Sequence, residues 1–200
     1  MQQRGLPIAF MVTAGNQAQI GLAEIGAALL RDPRITALGL HIEGIGDIAA
    51  FEALAAEAKA QGKGIAAIKV GRSTQAQTAT LSHTASLAGS DAGAEAVLRR
   101  LGIARLESLT ELLETLKLLH FTGPLSSNKV ASMSCSGGEA SLMADTGLTR
   151  DIVFPELNRK QKAGLRAALG PMVALANPTR LIITPIFGAM APAWGRRFRL

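Results

Sequence analysis

Short apolar, β-branched runs alternate along the chain with longer stretches whose apolar positions recur every three to four residues. Residues 8–12, Ile-Ala-Phe-Met-Val, form a continuous apolar run and predict a buried strand. The stretch 17–30 places Ile20, Leu22, Ile25 and Leu29 at helical spacing, and Asp32-Pro33 ends it. A strand is expected over 35–42, a helix over 48–61 stopped by Gly62 and Gly64, and a third strand over 65–70. Over 71–91 the apolar period disappears, and Ser, Thr, Ala and Gln dominate. Helical spacing resumes over 92–100, with a short strand near Ile103 and a helix over 108–120.

Strands alternating with helices imply a parallel sheet covered on both faces, with right-handed crossovers. Residues 1–122 therefore predict one α/β domain with a doubly wound parallel sheet. Gly123, Pro124 and the Ser-Ser-Asn at 126–128 read as a linker. A second unit starts afresh: a strand over 129–133, a Ser-Gly-Gly turn, a helix over 139–145, a strand near Ile152 and a helix over 158–169. It opens as the first unit does, but too few elements follow to close a sheet, so an incomplete second α/β domain is expected over 129–178. No short-period repeat is present.

Composition narrows the class. The chain has 200 residues, 48% hydrophobic and 18% charged, with 4% aromatic, which suits helices packed on a sheet. A single cysteine, Cys135, excludes an internal disulfide framework and fits a reducing cytoplasm. The first residues carry no secretory leader pattern, and the apolar run 181–194 is interrupted by Pro185 and Pro192 and is shorter than the about 20 residues of a membrane span. The formal charge is +6, but four arginines lie from Thr179 onward with no acid, which leaves +2 on the rest. No basic stripe interleaved with aromatics occurs, so neither nucleic acid nor a membrane is expected as partner.

Ligands of open α/β sheets bind at the carboxyl ends of the strands. Four features fall there: Gly15-Asn16-Gln17, Glu43 with the turn 44–47, the polar stretch containing His83, and Ser136-Gly137-Gly138. Taken singly, each has a plain structural reading. Gly44-x-Gly46-x-x-Ala49 has the spacing of a dinucleotide fingerprint, but no acid stands about 20 residues on, so a tight turn is the better reading. Gly15 and Gly137-Gly138 are either strand-to-helix turns or the approach to a helix N-terminus that offers N–H groups to an anion. Glu43 reads as a loop carboxylate, Cys135 as a small buried residue, His120 as a structural cation at a helix end, and His41 as a core residue on an alternating strand. His83 differs. It lies in the least apolar stretch, among Ser82, Thr84, Ser86, Gly89 and Ser90, and is as compatible with chemistry as with simple exposure. No metal-ligand spacing is present.

The run Ile-Lys-Val-Gly-Arg-Ser at 68–73, followed by Ser-His-Thr-Ala-Ser-Leu-Ala-Gly-Ser-Asp at 82–91, resembles the NDP-forming acyl-CoA synthetases, the ADP-forming acetate–CoA ligase relatives of succinyl-CoA synthetase. His-Ile-Glu-Gly-Ile at 41–45, Gly-Asn-Gln-Ala-Gln at 15–19 and Ser-Cys-Ser-Gly-Gly-Glu-Ala at 134–140 extend the likeness, in order, over about 6–178. Ala85 departs from it, since many relatives have glycine there. The resemblance implies a flavodoxin-like domain in which His83 is phosphorylated during turnover and Glu43 orients it. It also implies that the glycine turns with Gly15, Asn16, Gln17, Ser136, Gly137 and Gly138 bind the phosphoryl group. Ser82, Thr84, Gly89 and Ser90 would belong to the phosphohistidine loop.

The same resemblance implies missing parts. A CoA-binding domain and an ATP-grasp domain normally accompany this one, so the chain is expected to hold no tightly bound cofactor. CoA, ATP or ADP and Mg²⁺ would be substrates handled by the absent domains, with a small carboxylic acid as the acyl donor. A chain of this extent is expected to be inactive alone. Relatives continue after the Asn-Pro at 177–178 with Leu-Asp-Tyr-His-Thr and soon Ile-Trp-Gly-Asp. Reading the codons of 180–190 in a shifted frame permits that peptide, so 179–200 is expected to be a frameshifted tail. Two other readings stay open: a nucleotide- or CoA-binding α/β module without covalent chemistry, in which His83→Ala is silent, and the remnant of a truncated gene.

Overall fold

Three strands form an all-parallel sheet in the order β1-β2-β3, with β1 Ala37–Ile42, β2 Gly64–Lys69 and β3 Ala104–Leu106. The computed structural model describes residues 5–15, 17, 19–73, 75–76, 90–171 and 174–180. They fall into two units, divided between Leu125 and Ser126. β2 is central and buried at all positions, which is why its sequence runs apolar without alternating. On one face Leu38, Leu40, Ile42, Ile65 and Ala67 pack with α1 (Leu22–Leu30), α2 (Ile48–Ala60) and α3 (Asp91–Arg100). On the other face Ala66 and Ile68 meet Leu112 of α4 (Leu109–Thr122). That helix rides close to the strands because Gly39 and Gly64 have no side chains. A Cβ on Gly39 would stand 2.8 Å from Leu116 Cδ1, and one on Gly64 2.6 Å from Leu119 Cδ2.

Helices α2, α3 and α4 start at side-chain caps. Asp47 accepts from Ala49 N at 2.8 Å and Ala50 N at 3.2 Å at the start of α2, so the Gly44-x-Gly46 turn serves that cap. Ser90 Oγ accepts from Gly93 N at 3.0 Å, and Ser108 with Glu111 forms a capping box on α4.

The N-terminal segment departs from the expected strand. Residues 6–15 pair with no strand, and Phe10, Met11 and Val12 are exposed. The segment lines a groove of about 500 Å³ beside the open edge of β1, together with α1 and α4. It lines that groove without entering the sheet, and its large apolar side chains stay exposed, with the Arg34 guanidinium 5.3 Å from the Phe10 ring centre. A continuous apolar run signals a buried strand, and here residues 9–12 are neither paired nor buried. Helix α1 also begins later than the expected residue 17. Its first turn is closed by Gln17 Oε1, which accepts from Leu22 N at 2.8 Å, and by Glu24 Oε2, which accepts from Gly21 N at 2.7 Å.

In the second unit, β4 (Met133–Ser134) pairs in parallel with β5 (Thr179–Arg180), and Lys129 bridges Val153. The strand expected over 129–133 is thus reduced to a bridge and a two-residue pair. Helix α5 (Gly137–Leu148) is longer than expected and takes both glycines into its first turn, and α6 (Arg159–Leu169) follows. Asn177 ties segments together: its Nδ2 donates to Val130 O at 2.8 Å and Pro155 O at 3.1 Å, and its Oδ1 accepts from Ser132 N at 3.2 Å. Among the described residues of this unit only Gly147 is buried, and Met133, Leu142, Met143, Leu148 and Val153 are exposed. Among the described residues no helix is long and apolar enough to cross a membrane.

Candidate functional site at the carboxyl ends of the parallel strands

The register brings two sequence features side by side. Ile42 pairs with Lys69, and Val70 N donates to Ile42 O at 3.0 Å. Glu43, the next residue after β1, therefore flanks the point at which the chain leaves β2 toward His83. Its side chain is half-buried, and no described residue hydrogen-bonds to its carboxylate. Gly71, at φ +84°, turns the chain off the sheet in a conformation that L side chains rarely adopt.

A group of charges surrounds this exit. Lys69 is buried, and its Nζ donates to Val70 O at 2.5 Å. Burial pushes its ammonium pKa down, while the Asp91 carboxylate opposes that shift. Arg72 pairs with Glu107 and lies 3.6 Å (Nε) from Asp91 Oδ2. Arg105 is 10% exposed and donates to Asp91 Oδ1 at 2.5 Å and Glu95 Oε2 at 3.1 Å. The hydrogen bond from Arg105, then its charge and those of Arg72 and Lys69, hold the Asp91 carboxyl below the usual carboxylate range. Asp91 in turn raises Arg105.

The residues expected from sequence divide as follows. Asn16, Ser82, His83, Thr84, Gly89 and the tail from 181 lie outside the described residues. Gly15 is exposed but precedes the start of α1 by several residues, and Gln17 is engaged in capping that helix. Ser90 is the N-cap of α3. Ser136 caps α5, with Gly137 and Gly138 in the first turn; Glu139 Oε2 accepts from Cys135 N at 3.0 Å and Ser136 N at 3.2 Å. Two expectations of burial fail. Cys135 is exposed, because it lies in the turn before α5. His41 is exposed, because alternation on β1 buries Leu40 and Ile42 and turns His41 to the α4 face, which that helix covers only toward Gly39. His120, in the last turn of α4, shares a 2.7 Å hydrogen bond between its Nδ1 and Thr36 Oγ1. Lys69, Arg72, Asp91 and Arg105 went unassigned in the sequence. The available signals were a lysine ending an apolar strand and an aspartate directly after a helix cap.

Residues 1–119 match the family model described as succinyl-CoA ligase like flavodoxin domain. Acetate–CoA ligase [ADP-forming] II subunit alpha of Pyrococcus furiosus is 34% identical over 172 residues, which are 86% of this chain and 37% of that protein. Acetate–CoA ligase [ADP-forming] of Methanocaldococcus jannaschii is 29% identical over 86% of this chain and 24% of its own length. The chain thus spans about a third or less of these relatives. The structure of Ca. Korarchaeum cryptofilum dinucleotide forming acetyl-coenzyme A synthetase 1, in complex with phosphate and ADP, superposes with a TM-score of 0.74 at 23% identity, over 86% of this chain and 37% of that one. At that identity the superposition establishes a shared fold.

Proposed function

Because the chain belongs to the succinyl-CoA ligase like flavodoxin domain family, we propose that it is the phosphohistidine-carrying module of an NDP-forming acyl-CoA synthetase. The complete reaction converts nucleoside triphosphate, carboxylic acid and CoA into acyl-CoA, nucleoside diphosphate and phosphate, reversibly. The observation that carries the reading is the adjacency of Glu43 to the strand end from which the His83 segment departs.

In the acyl-CoA-consuming direction, a neutral imidazole nitrogen of His83 attacks the phosphorus of an acyl phosphate. The P–O bond to the acyl oxygen breaks, and the carboxylate leaves with the bonding pair. Glu43 accepts the hydrogen bond of the other ring N–H and balances the charge that develops on the ring. The phosphoryl group on His83 carries about two negative charges. The first turn of α5, at Gly137 and Gly138, offers helix N-terminal N–H groups of a kind that binds such an anion, and the backbone at Gly15, in the other unit, is exposed. An oxygen of the nucleoside diphosphate then attacks phosphorus, the P–N bond breaks and the imidazole returns. CoA, the nucleotide and its Mg²⁺ enter through CoA-binding and ATP-grasp domains outside these 200 residues, in the cytoplasm.

The test is reconstitution. The purified chain with ATP, acetate, CoA and Mg²⁺ is expected to form no acyl-CoA. Adding separately expressed CoA-binding and ATP-grasp domains of a relative is expected to restore formation, and His83→Ala to abolish it. Robust acyl-CoA formation by the chain alone, or an active His83→Ala assembly, contradicts the reading.

A second reading is favoured by one observation, the lack of any buried residue but Gly147 among the described residues of the second unit. It holds that the gene is frameshifted after Pro178 and the chain is a remnant. The coding DNA tests it: a second reading frame without Leu-Asp-Tyr-His-Thr removes it.

A further inference from the structure

We propose that Asp91 is a positioning residue for phosphoryl transfer at His83, acting through the two arginines that converge on its carboxylate. The inference rests on the phosphohistidine reading above.

Arg72 stands three residues past the end of β2, and Asp91 is the first residue of α3. Arg72 Nε approaches Asp91 Oδ2 at 3.6 Å. Each end is also tied to the third strand. Arg105 lies on β3 opposite Ala67 and holds Asp91 Oδ1 at 2.5 Å, with its own guanidinium 10% exposed and steadied by Glu95. Glu107, the residue after β3, pairs with Arg72. The two ends of the 73–90 stretch are thus fastened to each other and to one strand end.

Helix α3 does not require this arrangement for its start, since Ser90 already caps it. The exposed Arg72–Asp91 pair contributes little to stability. What the Asp91 pairs fix is the relation between the end of β2 and the start of α3, between which His83 lies in the sequence. Transfer rates fall steeply when reacting groups are misplaced, so the pairs that set these two points bear on the rate at a residue carried between them. Arg105 is the least exposed member, so the anchor point is set by the sheet and not by mobile surface side chains.

The test uses the full 200-residue chain with acetyl phosphate and the complementing domains of a relative. The rate of the acid-labile adduct at His83 is followed by intact mass. Asp91→Asn and Arg72→Gln are each expected to slow capture about tenfold or more, the size that a small misplacement of reacting groups produces. The double variant is expected to be no slower than the slower single one. Asp91→Glu is expected to recover most of the rate, while circular dichroism stays unchanged in all four. Wild-type rates in Asp91→Asn, or effects of the two substitutions that multiply independently, overturn the inference and leave the phosphohistidine reading intact. If Asp91→Asn fails to fold, Arg72→Gln and Asp91→Glu decide on the same criteria. No adduct on the wild-type chain overturns both.

Discussion

At the scale of single residues, the charges at the root of the His83 segment depend on one carboxylate. Asp91 faces Arg105, Arg72 and Lys69, and the first of these does most to hold its pKa below the ordinary value of 3.8. A carboxyl depressed by folding contributes stability above its unfolded pKa, and that contribution is lost as pH falls through the folded pKa. The thermal midpoint of the wild-type chain should therefore exceed that of Asp91→Asn at neutral pH, with the gap closing only in acid below about pH 4. A gap that widens in acid would contradict the assignment. Sequence could name Asp91 only as part of a motif, because its partner Arg105 comes from a separate strand whose register no local pattern encodes. The expectation for His83 and Glu43 comes from the distinctive runs their neighbours form. His41 and Cys135 were misread because burial depends on what covers a strand end or turn, which periodicity does not report.

At the scale of elements, capping and burial govern what holds. Leu54 and Leu98 are fully buried between α2, α3 and the sheet. Leu54→Ala should cost ~2–5 kcal/mol in chemical denaturation, since neighbours on three elements cannot all close in. Ser108→Ala removes the oxygen that accepts from Glu111 N at 3.2 Å and should cost ~1 kcal/mol by the same measurement. A loss below a few tenths of a kcal/mol at Leu54 would show that this core is looser than its burial implies. The helices and the three paired strands were legible, because each joins a clear period to stop signals such as Asp32-Pro33 and Gly62. The 8–12 strand was not: the run lines an open groove with residues 9–12 exposed, so its apolar composition overstated its burial.

At the scale of the whole molecule, the two units differ in how well they are built. The first has a sheet with cores on both faces, and the second leaves the apolar side chains of α5 open. Backbone amides of β1 and β2 should therefore exchange hydrogen far more slowly than those of α5 and α6, by mass-detected exchange. Equal protection would mean that the second unit is stable by itself. The central claim concerns His83 and is tested most directly by intact mass after exposure to acetyl phosphate, with the complementing domains present. The account predicts one added phosphoryl group that is lost in acid and absent from His83→Ala. An unmodified chain, or an adduct that survives acid or persists in His83→Ala, would contradict it.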